Sequence, residues 1–479
     1  MAPMMMILEQ KRRRPKELKT DGAVGMRLDR RAGYVYLISL VAAVGGLLFG
    51  FDIAVIAGAI PFISRYFALT AGPLGVAVSA VALGCMLGAG AAGFVSDRIG
   101  RKKVLILAAV LFVVSSLLTA VPTVLWHFVF ARFLSGVAIG FASPVSPVYI
   151  AEVAPARIRG RLVTLNQLAI TFGMLAAYAV DWWMASRGTS EWRDSQAWRW
   201  MFASGIAPSL LFLIALFLVP ESPRWLIKRG LRDRARGVLV SVGGAAHADQ
   251  ELLEIQDAVD HEEVSLGQMF RHPLIVPMMI GMLIMIFSQA TGLQAVTQYC
   301  PKLLLELGFK SESSAMLGMV LVGVVLFGST ILTMFGVDKF GRRPLLLSSS
   351  IGVAVSLLLF AVEFKFHVFP NYVVLGIVLA SIVSYAIGIG PCAWLIISEI
   401  FPTRVRGRAT SICTFTNWIT DFFILLVFPR LQEWSQAGTF VLFAGVTLAF
   451  MAALMILLPE TKGKTLEQIE ASWLRGRQP

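Results

Sequence analysis

Apolar residues along this chain run in long blocks separated by short polar connectors, and blocks of 18 or more residues recur twelve times. A helix of that length crosses a hydrocarbon layer of roughly 30 Å, so each block predicts a membrane span. The predicted spans are 34–61, 74–95, 103–121, 124–150, 162–184, 200–219, 273–301, 313–336, 344–364, 371–398, 409–429 and 437–458. The expected fold is an all-α membrane protein.

Composition agrees with that reading: 57% of the 479 residues are hydrophobic, 15% are charged, and mean hydropathy is +0.75. A water-soluble fold has nowhere to hide so much apolar surface. Cys85, Cys300, Cys392 and Cys413 all fall inside spans without paired spacing, so neither a disulfide framework nor a metal site is indicated.

The formal charge of +13 would suit a nucleic-acid partner if it were clustered. Instead, 33 of the 42 Lys and Arg lie on the side that holds both termini, eight lie on the opposite side, and Arg132 alone lies within a span. That asymmetry marks the first side as cytoplasmic and argues against nucleic acid. The tail 1–33, with KRRRPK at Lys11–Lys16, reads as a topology-setting segment; the span after it is too long, and too interrupted by Asp52, for a signal peptide.

An internal repeat divides the chain. EVAPARIRGR at Glu152–Arg161 matches EIFPTRVRGR at Glu399–Arg408 with an offset of 247. SDRIGRK at Ser96–Lys102 pairs with VDKFGRR at Val337–Arg343, and LVPESPR at Leu218–Arg224 with LLPET at Leu457–Thr461. Each pair occupies the same connector in its half. The chain therefore reads as two six-span bundles, 34–219 and 273–458, joined by a charged linker at 220–272 and followed by a tail at 459–479, with a solute site expected between the halves. Leu252, Leu253, Ile255 and Val259 suggest an amphipathic helix in the linker. The repeated acids and bases suggest a gate of breakable ion pairs on the cytoplasmic side: Asp97, Arg98, Arg101, Glu152, Arg157, Arg161, Glu221, Asp338, Arg342, Glu399, Arg404 and Arg408. Ordinary positive-inside loops with incidental acids are the alternative.

Asp52, in GFDIAVIAG at Gly50–Gly58, is a carboxylate inside the first span. At bilayer depth a charge costs about 2.5–3.5 kcal/mol on insertion scales, so such a group faces a cavity, pairs with a cation or titrates. Arg132 is its expected partner. A polyhydroxylated solute needs donors, acceptors and a flat apolar surface converging on a pocket. Asn166, Gln167 and Thr171 in span 5 are candidates, as are Gln289, Gln294, Gln298 and Tyr299 around Gly292 in span 7, Trp394 in span 10, and Asn417, Trp418 and Asp421 in span 11. For any one of these, interhelical hydrogen bonding explains the side chain equally well. GAGAAG at Gly88–Gly93 satisfies a dinucleotide-binding pattern, yet it lies mid-span with no strand before it, so close helix packing is the reading. No nucleophile, metal or cofactor constellation is present, and neither an enzyme nor a cofactor is expected.

Taken together, GGLLFGFD, DRIGRK, the segment Arg132–Arg161, PESPRWL, DKFGRR, the segment Gly390–Arg408 and PETKGKTLEQI resemble the sugar porter family of the major facilitator superfamily over nearly the whole chain after residue 33. The resemblance implies a monomeric carrier for a monosaccharide or related polyol in the cell membrane. Proton-coupled members carry an acid where Asp52 stands, with the span 4 arginine as its companion; facilitative uniport and sugar sensing without transport are the alternatives. It also places Gln167, Gln289, Trp394 and Asn417 at sugar-contacting positions. Ser288, Gln294, Gln298, Met174 and Asp421 depart from the common pattern and leave the solute's identity open.

Overall fold

The computed structural model describes residues 21–155, 158–260, 274–401 and 405–457. Arg157 and Arg404 lie outside them, and the side chain of Asp338 is not among those described. Among the described residues, twelve helices are long and apolar enough to cross a membrane: Gly33–Tyr66, Ala71–Ile99, Arg101–Ala120, Leu125–Val153, Arg159–Ala185, Ser190–Phe217, Ile275–Glu306, Glu312–Gly336, Arg342–Phe366, Asn371–Ile397, Gly407–Trp434 and Gln436–Ile456. They are numbered spans 1 to 12 in that order. Among the described residues there is no strand.

Span 6 begins ten residues earlier than hydropathy predicts, and its polar start is anchored at Asp194 and Arg199. Asp194 pairs with Arg65 at 2.6 Å, and Arg199 donates to the carbonyls of Ala120 and Pro122 and to the Tyr66 hydroxyl. Two spans are broken mid-membrane. Gly292, left-handed at φ 72°, separates Ile275–Ala290 from Leu293–Glu306 in span 7, a conformation a side chain would strain. In span 10 the break falls at Gly388, where the buried amide of Ile389 donates to Ser349 Oγ at 3.0 Å. Broken helices at membrane depth free backbone groups and side chains to face a cavity.

Within the halves, helices meet through small residues, as expected where lipid removes the hydrophobic drive for association. Gly84 and Gly88 of span 2 lie against the backbone of span 4 at Phe133, Val137 and Gly140, leaving no room for a Cβ. The Gly-rich stretch is thus a packing surface at Gly88, while Gly93 faces open space. Between the halves, Gly75 of span 2 abuts Leu426 of span 11, Gly323 of span 8 abuts Leu175 and Tyr178 of span 5, and Phe49 of span 1 meets Trp418 of span 11 edge-on at 5.9 Å. On the side opposite the repeated motifs, Arg65 reaches Glu312 at 3.1 Å and the Ala71 amide donates to Glu433 at 3.2 Å, so the halves are tied together there.

In the linker, Pro223–Lys228, Arg232–Gly243 and Ala245–Asp260 are helical. Leu226, Ile227 and Ala235 form a small core with Leu252 and Ile255, whereas Leu253 is exposed; the side chain of Val259 is outside those described.

Gly84→Val is expected to lower stability by about 3 kcal/mol, the upper end of overpacking, since backbone rather than a pliable side chain is in the way. Gly93→Ala is expected to have no such effect. Thermal unfolding of the purified protein in detergent checks both, and equal behaviour would show that the span 2–span 4 contact is not limiting.

Candidate functional site

Span 1 presents Asp52 to span 4. Arg132 Nη1 donates to Asp52 Oδ2 at 2.9 Å, Nη2 donates to the Asp52 carbonyl at 3.2 Å, and Ser135, three residues along the same helix face, donates to Oδ2 at 2.9 Å. Arg132 is fully buried, and its guanidinium also sits 5.3 Å from the centre of the Phe202 ring in span 6. The Asp52 side chain keeps 13% exposure, facing a cavity lined by Leu48, Phe51, Phe112, Ser116, Phe202 and Ser209. Those residues come from spans 1, 3 and 6, so the cavity lies inside the first half rather than between the halves. The charge pair is well bonded, and removing one partner of such a buried pair typically costs 3–5 kcal/mol because a lone charge remains.

A second polar cluster joins spans 7 and 11. Gln289 Nε2 donates to Asn417 Oδ1 at 3.1 Å, Ser288 Oγ lies 3.4 Å from the same oxygen, and the other Gln289 amide atom, Oε1, is buried without a partner. Asn417 is 2% exposed. Trp418 is buried with its indole N–H unpartnered, one turn from Asp421, whose Oδ1 is likewise unpartnered. An unmet donor and acceptors beside an aromatic face suit a solute with several hydroxyls.

The other candidates spread around this cluster. Gln167 is exposed, Met174 and Gln294 are half-buried, and Trp394 is 43% exposed. Gln298 is buried with its Oε1 unpartnered. Two are otherwise employed: Thr171 bonds back to carbonyls of its own helix, and Tyr299 donates to the Leu425 carbonyl at 3.4 Å while stacking on Phe428. Asn166 lies against the backbone at Gly46 of span 1.

On the motif-bearing side, Arg101 binds Glu152 at 3.0 Å and Asp97 at 2.9 Å, and Ser222 donates to Glu152. Glu221 accepts from the Lys102 amide, Arg229 donates to the Arg98 carbonyl, and Trp225 donates to the Asp97 carbonyl. The repeat partner of the Arg101–Glu152 bridge is Arg342–Glu399, at 2.9 Å. Both bridges stay within one half. Arg161 and Arg408 are exposed. In the linker the carboxyl of Asp249 is drawn below its usual range by its hydrogen bond to Arg236 at 2.7 Å.

Comparison with known proteins decides the family. Residues 38–473 match the family described as "Sugar (and other) transporter". The chain belongs to that family. Among its relatives, the sugar transporter is 36% identical to the D-xylose-proton symporter of Escherichia coli (strain K12), over 94% of this chain and 97% of that one. It is also 36% identical to the arabinose-proton symporter of Bacillus subtilis (strain 168), over 92% and 96%. The inward open conformation of the E. coli xylose transporter XylE superposes with a TM-score of 0.82 at 35% identity, covering 92% of this chain and all of that one. XylE bound to 6-bromo-6-deoxy-D-glucose gives 0.78 at the same identity and coverage.

Sequence reasoning passed over two groups in this transporter. Ser135 shares the acceptor of Arg132, and its i+3 spacing was the available signal. Asp181 in span 5 is fully buried against the Gly58 backbone of span 1, with neither carboxylate oxygen hydrogen-bonded to a partner. It was hidden among tryptophans near a predicted helix end, where an acid reads as interfacial.

Arg132→Met is expected to destabilise the protein by about 3–5 kcal/mol, and adding Asp52→Asn to recover most of that loss, since the double variant strands no charge. Thermal unfolding in detergent measures both; equal losses in the single and double variants would deny the coupling.

Proposed function

We propose that the protein carries a monosaccharide, a pentose or hexose, into the cell together with protons by alternating access of its two halves. The observation that carries this is the bonded Asp52–Arg132–Ser135 group: an acid and a base that both lie within spans, beside a cavity, one turn along span 1 from Phe49, which touches Trp418 of the solute cluster. The relatives named as proton symporters of xylose and arabinose support the same reading.

A proton on Asp52 cancels its charge and loosens its hold on Arg132, so span 1 is freed from span 4. Because Phe49 leans on Trp418, that change in packing reaches the residues that would hold the sugar. Re-formation of the pair after the proton leaves resets the empty carrier. The membrane potential supplies about 2.3 kcal/mol per charge per 100 mV, and a tenfold gradient takes about 1.4 kcal/mol, so each proton sustains roughly fiftyfold accumulation per 100 mV.

The excess of Lys and Arg supports a cytoplasmic location for both termini and for the repeated motifs. On that orientation the outer ends of the halves are tied through Arg65–Glu312, and Glu152 and Glu399 are each held by an arginine of their own half. Closing the inner side brings these acids opposite arginines of the other half, which is the gate.

A thermal-shift screen with D-xylose, L-arabinose, D-galactose and D-glucose is expected to pick out one or more as stabilising ligands. In proteoliposomes, Asp52→Asn is expected to exchange labelled sugar across the membrane but to lose uptake against a gradient. Uphill uptake surviving in that variant would remove Asp52 from the coupling.

A further inference from the structure

Asp421 is the acid in the second half that the coupling scheme leaves unused. It lies in span 11, one turn beyond Asn417, and is 2% exposed with Oδ1 unpartnered. Span 11 also forms part of the seam between the halves, since Leu426 abuts Gly75 of span 2 and Trp418 meets Phe49 of span 1. Asp421 is within electrostatic reach of Cys85 on span 2 and of Tyr385 on span 10. Neither a thiol nor a phenol supplies positive charge. Span 7 contributes the neutral Ser288 and Gln289, and the Tyr299 hydroxyl is engaged with the Leu425 carbonyl. Among the described residues, no cation acts on Asp421 as Arg132 acts on Asp52.

The two acids are therefore in opposite circumstances. Asp52 has its counter-ion inside its own half. Asp421 has none, and its surroundings include the seam that must part when the halves rock. A naked charge there is expensive while the seam is shut and inexpensive once water enters. We infer that Asp421 is a second proton-carrying group, loaded and unloaded once per cycle as the seam between spans 2 and 11 closes and opens, so that two protons move with each sugar. This rests on the proposed symport and adds a stoichiometry to it. Asp52 remains obligatory, because only its proton releases Arg132; Asp421 adds to the driving force.

The test is static head in proteoliposomes, with tritiated D-xylose and D-glucose as tracers, the lumen one pH unit above the medium and the potential clamped at zero. Under those conditions two protons per sugar sustain about hundredfold accumulation and one sustains about tenfold. The wild type is expected to reach about hundredfold, Asp421→Asn about tenfold, and Asp421→Glu to keep the wild-type value. Static head is thermodynamic, so a variant that is merely slow arrives at the unaltered ratio. Asp421→Ser serves if the Asn variant is not recovered folded. A wild type that stops at about tenfold overturns the second proton while leaving symport intact, as does an uncharged variant that matches a hundredfold wild type. Failure to accumulate these two sugars or, as further tracers, L-arabinose and D-galactose overturns symport itself, and the inference with it.

Discussion

The cost of an unpaired charge away from water governs this protein. Among the described residues, most acids and bases buried in the interior are matched to a partner. Arg132 is met by Asp52, whose carboxylate also accepts from Ser135, and lies over the Phe202 ring. Arg101 is met by Glu152 and Asp97, and Glu399 by Arg342. Two acids are left without that match: Asp181, buried in the first half with neither carboxylate oxygen partnered, and Asp421, buried in the second with Oδ1 unpartnered.

Close helix packing lets the two bodies move as units. With backbone against backbone at Gly84, Gly88 and Gly140, spans 2 and 4 have little freedom to slide within the first half. The seams between halves share that close approach at Gly75 and Gly323, but their side-chain contacts are Phe49–Trp418, Phe172–Phe327 and the partly exposed Arg65–Glu312 bridge, which separate without stranding a buried charge. Exposed ion pairs contribute little stability, roughly 0–1 kcal/mol, which suits a contact that must break in every cycle.

Most of the architecture was legible in the sequence, because a span of hydrocarbon imposes a length that hydropathy reports directly. Span ends fell within a few residues except at span 6, where paired Asp194 and Arg199 carry the helix past the apolar stretch. The break at Gly292 was foreshadowed by the glycine itself, whereas the break at Gly388 depends on Ser349 of a neighbouring span, which no local pattern reveals. The Asp52–Arg132 contact was legible by scarcity, Arg132 being the one base inside a span. That the adjoining cavity belongs to the first half was not, since it is built from spans 1, 3 and 6. Asp181 was missed for the opposite reason: its burial comes from the Gly58 backbone of span 1, a tertiary contact.

If the Asp52 charge is what links sugar to protons, the linkage is reciprocal, and sugar must alter proton occupancy as protons alter sugar affinity. The direct measurement is proton uptake by the purified protein in lightly buffered detergent on addition of the sugar selected by thermal shift, followed with a pH-sensitive dye. The account predicts net uptake by the wild type and distinctly less by Asp52→Asn. No uptake by the wild type, or equal uptake by both proteins, would contradict it.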